Sequence, residues 1–166
     1  MGVSSDFAPA TSAQEEILRI LGNRLLAHGE FHGDYWLQFQ AEHLAEVVEF
    51  LRSHPLFKMD SFVDLCGVDY LGRTPRFEVV THLFSLLHQH RIRLRYLVPD
   101  DTLTVPSLTS FWPAANWQER EAFDMYGIHF RGHPNLQRIL SPPGATEFPQ
   151  RKDYPLRGSR EEIEDL

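Results

Sequence analysis

Apolar residues recur at helical spacing in two segments of the first third of the chain. Ser12, with Glu15 three residues on, has the pattern of a capping box, which predicts the start of a helix. Gly29 is expected to end this helix. One face of it carries Ile17, Leu18, Leu21 and Leu25. A second helix, closed by Pro55, is predicted by the same spacing in Leu44, Val47, Val48 and Leu51.

Alternation of apolar and polar residues predicts strands between and after these helices. Apolar and polar residues alternate over 34–40, so that Tyr35, Leu37 and Phe39 lie on one side of the predicted strand. Residues 61–70 hold an apolar core broken by Gly67. This segment is expected to be a strand that runs into a turn at residues 71–75.

The clearest strands are residues 76–85 and 91–98, and the short link at 87–90 predicts that they form a hairpin. In the second strand, the apolar residues alternate with three arginines. The apolar positions are Ile92, Leu94, Tyr96 and Val98, and the arginines are Arg91, Arg93 and Arg95. This pattern indicates a strand with one buried face and one cationic face.

The pattern changes after Pro99. Residues 107–111 follow a proline and predict a short helix. Asn116 is expected to cap a further helix over 117–126, because Glu119 stands three residues on, at the capping-box position. A glycine follows this helix and suits a left-handed C-terminal position.

The order of these elements predicts an α+β fold with a mixed or mostly antiparallel sheet and helices packed on one face. Residues 1–140 are expected to form this single domain. Residues 141–166 are too rich in proline to build a core of their own. We expect them to form an extended Pro-rich C-terminal tail that binds a partner.

Composition narrows the range of functions. The formal net charge is −7, which argues against general nucleic-acid binding. Only the stretch 71–98, with five arginines and one acid, is basic enough to raise that possibility. No apolar run is long enough to span a membrane. Residues 1–11 lack the basic and apolar regions of a signal peptide, so a location in the cytoplasm, or inside whichever compartment makes the protein, is expected.

Candidate metal and cofactor ligands are sparse. The single cysteine, Cys66, lies between apolar neighbours and is interpreted as a core residue, and one thiolate cannot hold an iron–sulfur cluster that usually needs four. His88 with His90 and His129 with His133 have metal-compatible spacings, but no third and fourth ligands lie nearby in sequence. Neither common phosphate-binding glycine loop is present, so no flavin, NAD or ATP site is predicted.

The helix predicted at 117–126 mixes carboxylates with aromatic residues. Glu121 and Asp124 are three residues apart and could share a face, either for acid–base chemistry or as a solvated surface. The density of aromatic residues around them instead favours a buried partner interface, where Trp, Tyr, Phe and Arg are enriched. The alternative is that these aromatics complete the core of the domain.

Residues 117–140, from WQEREAFDMYGIHF to NLQRIL, resemble the signature of the C subunit of respiratory complex I, also called the 30 kDa subunit. The resemblance covers about residues 60–158 and also includes 64–70, 82–85, 91–94, 105–116 and 151–158. It departs from the family pattern at 141–150, where many relatives carry a glycine- and histidine-bearing loop.

The resemblance implies a redox-inert scaffold in the peripheral arm of the proton-pumping NADH:quinone oxidoreductase. That complex passes electrons from NADH through FMN and iron–sulfur clusters to quinone. FMN and the clusters would belong to partner subunits, with the D subunit of complex I as the first partner and the B, I and G subunits as further neighbours. The implied location is the cytoplasmic face of the inner membrane, or the matrix side in mitochondria. Equivalent subunits of membrane-bound hydrogenases and of ferredoxin- or F420-linked complexes remain the alternative.

No catalytic residue is expected in this chain. The predicted partner interface comprises aromatic and charged residues of the signature and of the tail. They are Trp112, Trp117, Glu119, Arg120, Glu121, Asp124, Tyr126, His133, Arg138, Arg151, Lys152, Asp153, Tyr154 and Arg157.

Overall fold

The computed structural model describes residues 10–156. The helices are α1 (Ala10–Leu21), α2 (Leu44–Ser53) and α3 (Ala115–Tyr126), with short 3-10 turns at Gly22–Arg24 and Ala41–His43. The strands are β1 (Leu25–Phe31), β2 (Asp34–Gln40), β3 (Ser61–Asp69), β4 (Phe77–Ser85), β5 (His90–Val98), β6 (Thr104–Pro106) and β7 (His129–Arg131). Residues 141–156 contain no helix or strand.

Five strands form one sheet in the order β1-β2-β5-β4-β3, and β6 with β7 forms a separate two-stranded sheet. The pairs β1–β2, β4–β5 and β3–β4 are antiparallel, whereas β2–β5 and β6–β7 are parallel. The predicted α+β class and the mixed sheet are therefore confirmed, as is the hairpin between β4 and β5.

One apolar core lies between the sheet and the helices. The register aligns Leu37, Leu94 and Thr81 across β2, β5 and β4, so their side chains point to the same face. The fully buried residues of α2 join the same cluster; they are Leu44, Val47, Val48 and Leu51. Ile17 of α1 also belongs to it. The prediction of helices on one face is confirmed.

The N-terminal boundaries differ from the prediction. Helix α1 begins at Ala10, so Ser12 lies inside it, and the Ser12 side chain is outside the described part of the structure. Leu25 and Gly29 belong to strand β1 and not to the first helix. An added Cβ at Gly29 would lie 2.9 Å from the Trp36 ring, so this glycine accommodates a tightly packed neighbour in the sheet.

Two predictions around α3 are wrong. Residues 107–111 form turns, because the backbone N–H of Ser107 continues the β6–β7 pairing by donating to the Arg131 carbonyl. Helix α3 begins at Ala115, so Asn116 lies in its first turn and is not the N-cap. Gly127 at the other end has φ 75° and donates its N–H to the Phe123 carbonyl, which confirms the left-handed cap.

The strand predicted over residues 61–70 is confirmed as β3, which continues through Gly67. A Cβ there would lie 2.6 Å from the Tyr126 ring, so glycine lets α3 approach the sheet closely. Cys66 is exposed, and its interpretation as a core residue is wrong. The alternation along β3 turns Cys66 to the face of the sheet opposite the helices, because Gly67 faces Tyr126.

Candidate partner-binding surface

Glu119 lies on the inner side of α3 and is fully buried. One carboxylate oxygen accepts the backbone N–H of Leu108 at 2.5 Å, and the other accepts the Ser107 hydroxyl at 2.6 Å. Burial raises the pKa of Glu119 to about 7, although these two hydrogen bonds oppose the shift. Glu119 therefore fastens the turn after β6 to the helix, and among the described ion pairs no cation bonds its carboxylate.

A pH dependence follows from the buried Glu119. The folded state holds its proton between the ordinary pKa of 4.5 and about 7, so this stabilising contribution is present below that window and lost as pH rises through it. Relative to Glu119→Gln, the native chain is expected to lose about 3 kcal/mol of unfolding free energy between about pH 5 and about pH 8. Urea unfolding at both pH values measures this, and parallel pH profiles for the two proteins would contradict it.

Asp124 is the second fully buried carboxylate of α3. One oxygen accepts the backbone N–H groups of Ile139, Leu140 and Ser141 at 2.9, 2.7 and 2.9 Å, and the other accepts Nη1 of Arg138 at 2.8 Å. Burial alone would raise the pKa of Asp124, but the hydrogen bonds from residues 139–141 lower it well below its usual range. Asp124 thus sets the path of the chain where the predicted tail begins.

Arg138 extends this connection into the tail. Besides the Asp124 carboxylate, its Nη1 donates to the Asp124 carbonyl at 3.1 Å and to the Glu147 carbonyl at 2.9 Å. Its guanidinium also lies 4.9 Å from the centre of the Phe148 ring. The Arg138 side chain therefore joins α3 to Glu147 and Phe148, which lie more than twenty positions beyond the end of the helix.

Residues 148–153 pack against the domain. The backbone N–H of Gln150 donates to the Met125 carbonyl at 3.2 Å, and Nε of Arg151 donates to the Tyr126 carbonyl at 2.8 Å. Phe148 and Arg151 surround Gly127, where an added Cβ would lie 2.7 and 2.6 Å from them. These contacts satisfy carbonyl groups at the C-terminal end of α3 that the helix itself leaves unpaired.

Arg76 joins the tail to the sheet. Its guanidinium donates to both oxygens of Asp69 at 2.8 and 2.7 Å and to both oxygens of Asp153 at 2.9 and 2.8 Å. The backbone N–H of Lys152 donates to Asp69 as well, at 2.8 Å. These hydrogen bonds raise the pKa of Arg76, and the Arg76 guanidinium lowers the pKa of Asp153 to about 2. We call Asp69, Arg76 and Asp153 the tail anchor.

The outer face of α3, defined as Trp117, Arg120 and Glu121, points away from the core. Trp117 is 63% exposed, and the Arg120 guanidinium lies 5.1 Å from its ring centre. Nε of Arg120 also donates to the Gln137 carbonyl at 2.9 Å. Positions three and four apart on a helix are neighbours on its surface, so these residues form one amphipathic patch.

The structure divides the residues predicted for a partner interface into several groups. Trp112, Glu119 and Asp124 are buried. Half-buried residues are Arg120, Tyr126, His133, Arg138, Arg151 and Tyr154, and exposed residues are Trp117, Glu121, Lys152 and Asp153. Arg157 lies outside the described residues. Glu119, Asp124, Arg138 and Arg151 are engaged by the chain itself. A contact with a partner stays a prediction for all of these residues.

The histidine pairs do not form a metal centre with other ligands. Nε2 of His88 contacts the Pro55 carbonyl at 2.8 Å, and Nε2 of His133 contacts the Asn116 carbonyl at 3.1 Å. Within residues 10–156, no group of three His, Cys, Asp or Glu side chains is arranged to hold a metal ion. None of the described helices is long and apolar enough to cross a membrane.

Sequence reasoning missed Ser107, Asp69 and Arg76. Ser107 follows a proline in a segment that was interpreted as helical, and only its position beside Glu119 reveals its role. Arg76 and Asp153 are 77 positions apart in the chain. No local spacing signals such a pair, because the fold of the whole domain brings its members together.

A model of the family described as respiratory-chain NADH dehydrogenase, 30 Kd subunit, matches residues 37–160. The C subunit of NADH-quinone oxidoreductase from Roseiflexus castenholzii is 50% identical over 82% of this chain and 78% of its own length. The second C subunit of NADH-quinone oxidoreductase from Rhizobium meliloti is 46% identical over 81% of this chain and 74% of its own length.

Two solved structures share the fold. A trypsin-resistant fragment of Nqo5 is 29% identical with a TM-score of 0.65, and the alignment covers 76% of this chain and 98% of the fragment. A chain of the membrane-bound sulfane sulfur reductase, an archaeal respiratory membrane complex, has a TM-score of 0.70 at 19% identity, over 93% of this chain and 90% of its own. The family model and the identity to these relatives show that the chain belongs to the 30 kDa subunit family of respiratory-chain NADH dehydrogenase, which includes the C subunits of NADH-quinone oxidoreductase.

Proposed function

We propose that this chain is a non-catalytic scaffold of the proton-translocating NADH:quinone oxidoreductase and binds no redox centre itself. The observation that carries this proposal is the use of the two buried carboxylates of α3. Glu119 and Asp124 are fully buried, and both accept hydrogen bonds from the loops of the chain itself. Carboxylates often serve acid–base chemistry, but these two stabilise the fold of the chain.

A rigid scaffold suits the chemistry of such a complex. Electron transfer to quinone requires fixed distances between redox centres and a pocket that excludes water. We place FMN and the iron–sulfur clusters in partner subunits, with the D subunit as the first partner and the B, I and G subunits as further neighbours. The chain would then sit at the cytoplasmic face of the inner membrane as a peripheral protein.

The outer face of α3 is the partner surface that the geometry supports best. Trp117 is 63% exposed beside Arg120, and Trp and Arg are among the residues most enriched at the centres of protein interfaces. Residues 148–153 lie against the C-terminal end of α3. A partner that covers the helix would therefore also contact the tail, as one composite surface. In this proposal the tail binds a partner through the side that does not contact the domain.

Replacing Trp117 with alanine is expected to weaken assembly without unfolding the chain. Trp117 is largely exposed, so the free energy of unfolding should change by about 0.5 kcal/mol or less. Loss of an interface tryptophan typically costs about 2 kcal/mol or more of binding free energy, which is roughly thirtyfold in affinity. Blue-native gels of membranes carrying the variant measure the amount of assembled complex.

The matched control is Leu26→Ala. Leu26 is also an exposed apolar residue, at 53%, but it lies in edge strand β1, at the opposite side of the sheet from β3, against which α3 packs. Assembly should be unchanged in this control. Equal assembly of the Trp117 variant and the native chain would rule out the outer face of α3 as the partner surface.

Affinity purification of the full chain from native membranes tests the proposed function. We expect the co-eluting proteins to include a quinone-site subunit and an NADH-binding flavin subunit. The relatives named above are NADH-quinone oxidoreductase subunits, which favours this outcome over a membrane-bound hydrogenase or a ferredoxin- or F420-linked complex. A chain recovered without oxidoreductase subunits would contradict the proposal.

A further inference from the structure

The face of the sheet opposite the helices forms an open groove of about 500 Å³. We call this surface the open face. Its lining residues come from β1 to β5 and from the turn after β3, and they include Trp36, Cys66, His82, Arg93 and Arg95. Most of them are half-buried although the helices pack on the other side of the sheet.

The strand pairing makes an uncovered face unusual here. Strands β2 and β5, at the centre of the open face, are parallel. Parallel strands are usually covered on both faces, whereas antiparallel strands commonly leave one face in water. Apolar side chains on this face, such as Val80 and Phe84, are only half-buried.

One cation on the open face is neutralised within the chain. Arg95 donates Nε to the Glu78 carboxylate at 2.7 Å, and Glu78, which is 1% exposed, also accepts Nε2 of Gln38 at 2.7 Å. Arg95 lies 5.3 Å from the centre of the Trp36 ring. Nearer the edge, Arg91 approaches Asp34 at 3.7 Å.

Arg93, between these two arginines along β5, has no such counterion among the described ion pairs. It donates Nε to Nε2 of His82 at 2.8 Å, so His82 must accept with an unprotonated nitrogen. Desolvation and the nearby Arg93 lower the pKa of His82, although Asp64 and Asp34 oppose this. The terminal amino groups of Arg93 are therefore left to bind an acceptor from outside the chain.

We propose that the open face docks a segment of a partner protein, with one carboxylate of that segment bound by the terminal amino groups of Arg93. This rests on the proposed function, because the partner belongs to the same assembly. Arginine binds carboxylates through two parallel N–H groups, which fits an acceptor above the sheet. Glu30 and Glu78 also line the groove, so its charges are mixed, which favours a single carboxylate placed opposite Arg93 over a polyanion such as nucleic acid.

The single cysteine provides a test that needs no substitution. Cys66 is exposed on the open face, so a neutral maleimide modifies the full chain at one known position. Desolvation raises the pKa of the Cys66 thiol, and mildly alkaline buffer keeps the reaction measurable. We expect labelling in the purified assembly to be at least about tenfold slower than in the chain alone, because the partner covers the thiol.

Reversing the charge of Arg93 tests whether a partner carboxylate binds there. Arg93→Glu is expected to weaken binding of the full chain to the remaining subunits at least about tenfold, because two carboxylates would then face each other. Arg131→Glu makes the same change at an exposed position in β7, away from the open face, and should leave binding unchanged. If Arg93→Glu does not fold, maleimide labelling of the native chain still shows whether a partner covers the open face.

The outcomes separate this inference from the proposed function. Co-purification with oxidoreductase subunits while Cys66 reacts at equal rates in both samples would leave the proposed function intact and overturn the docking site. Equal loss of binding in the Arg93 and Arg131 variants would overturn the carboxylate contact. A cross-link from Cys66 to a second copy of the chain, or a gel shift with nucleic acid that Arg93→Glu abolishes, would also overturn it. A chain that co-purifies with none of these subunits contradicts both proposals.

Discussion

Replacing Asp124 with alanine is expected to lower the free energy of unfolding by about 3–5 kcal/mol, because it leaves Arg138 without its buried partner. The same change removes the acceptor of three backbone N–H groups at residues 139–141. For a chain of this length, the melting temperature should fall by roughly 10 °C. Urea unfolding followed by circular dichroism measures the loss.

A matched control separates this effect from the loss of any carboxylate. Asp101→Ala removes an exposed carboxylate for which the structure shows no hydrogen bond, and its unfolding free energy should change by about 0.5 kcal/mol or less. Limited proteolysis should cut the Asp124 variant near residues 139–141 and spare the control. Similar stability of the two variants would show that Asp124 does not hold this segment.

Replacing Arg76 with alanine is expected to cost about 3 kcal/mol, since it leaves the buried carboxylate of Asp69 without its cation. Only the N–H of Lys152 would still donate to Asp69 among the hydrogen bonds of the tail anchor. Release of Asp153 should also expose residues 148–153 to proteases. Thermal unfolding and hydrogen exchange of the segment 148–153 measure both effects.

Arg73→Ala is the control for the tail anchor. Arg73 is exposed three residues earlier, and its guanidinium lies 4.4 Å from the Tyr70 ring centre. Removing a contact of this kind costs about 0.5–1 kcal/mol at an exposed site. If Arg76→Ala and Arg73→Ala lowered stability equally, the tail anchor would contribute nothing beyond an ordinary surface arginine.

Strong periodicity explains which elements could be predicted from the sequence. The strand at residues 34–40 and the helix around Leu44–Leu51 were predicted within two residues, because each alternates or repeats without interruption. Strand β1 was missed because Leu25 happens to continue the helical spacing of α1. The hairpin turn before β2 needs positive φ at His32 and Gly33, and that turn signal outweighs the spacing.

Glu119 shows why the site was harder to predict than the fold. Its position three residues after Asn116 suggested a capping box, but its carboxylate turns inward to Ser107 and Leu108, twelve and eleven residues earlier. The same short pattern is compatible with both arrangements, and tertiary packing selects between them. The family signature located the right segment, whereas the intrachain role of Glu119 and Asp124 emerged only from their neighbours in space.

In the proposed function, this chain supports assembly and performs no step of the reaction. NADH:quinone turnover per assembled complex, measured in membranes carrying Arg120→Ala, distinguishes this role from a catalytic one. Arg120 holds the Gln137 carbonyl and lies over Trp117, so its loss should disturb the outer face of α3. We predict fewer assembled complexes, each with native turnover. Normal assembly with slow turnover would contradict the account and assign this surface a direct part in catalysis.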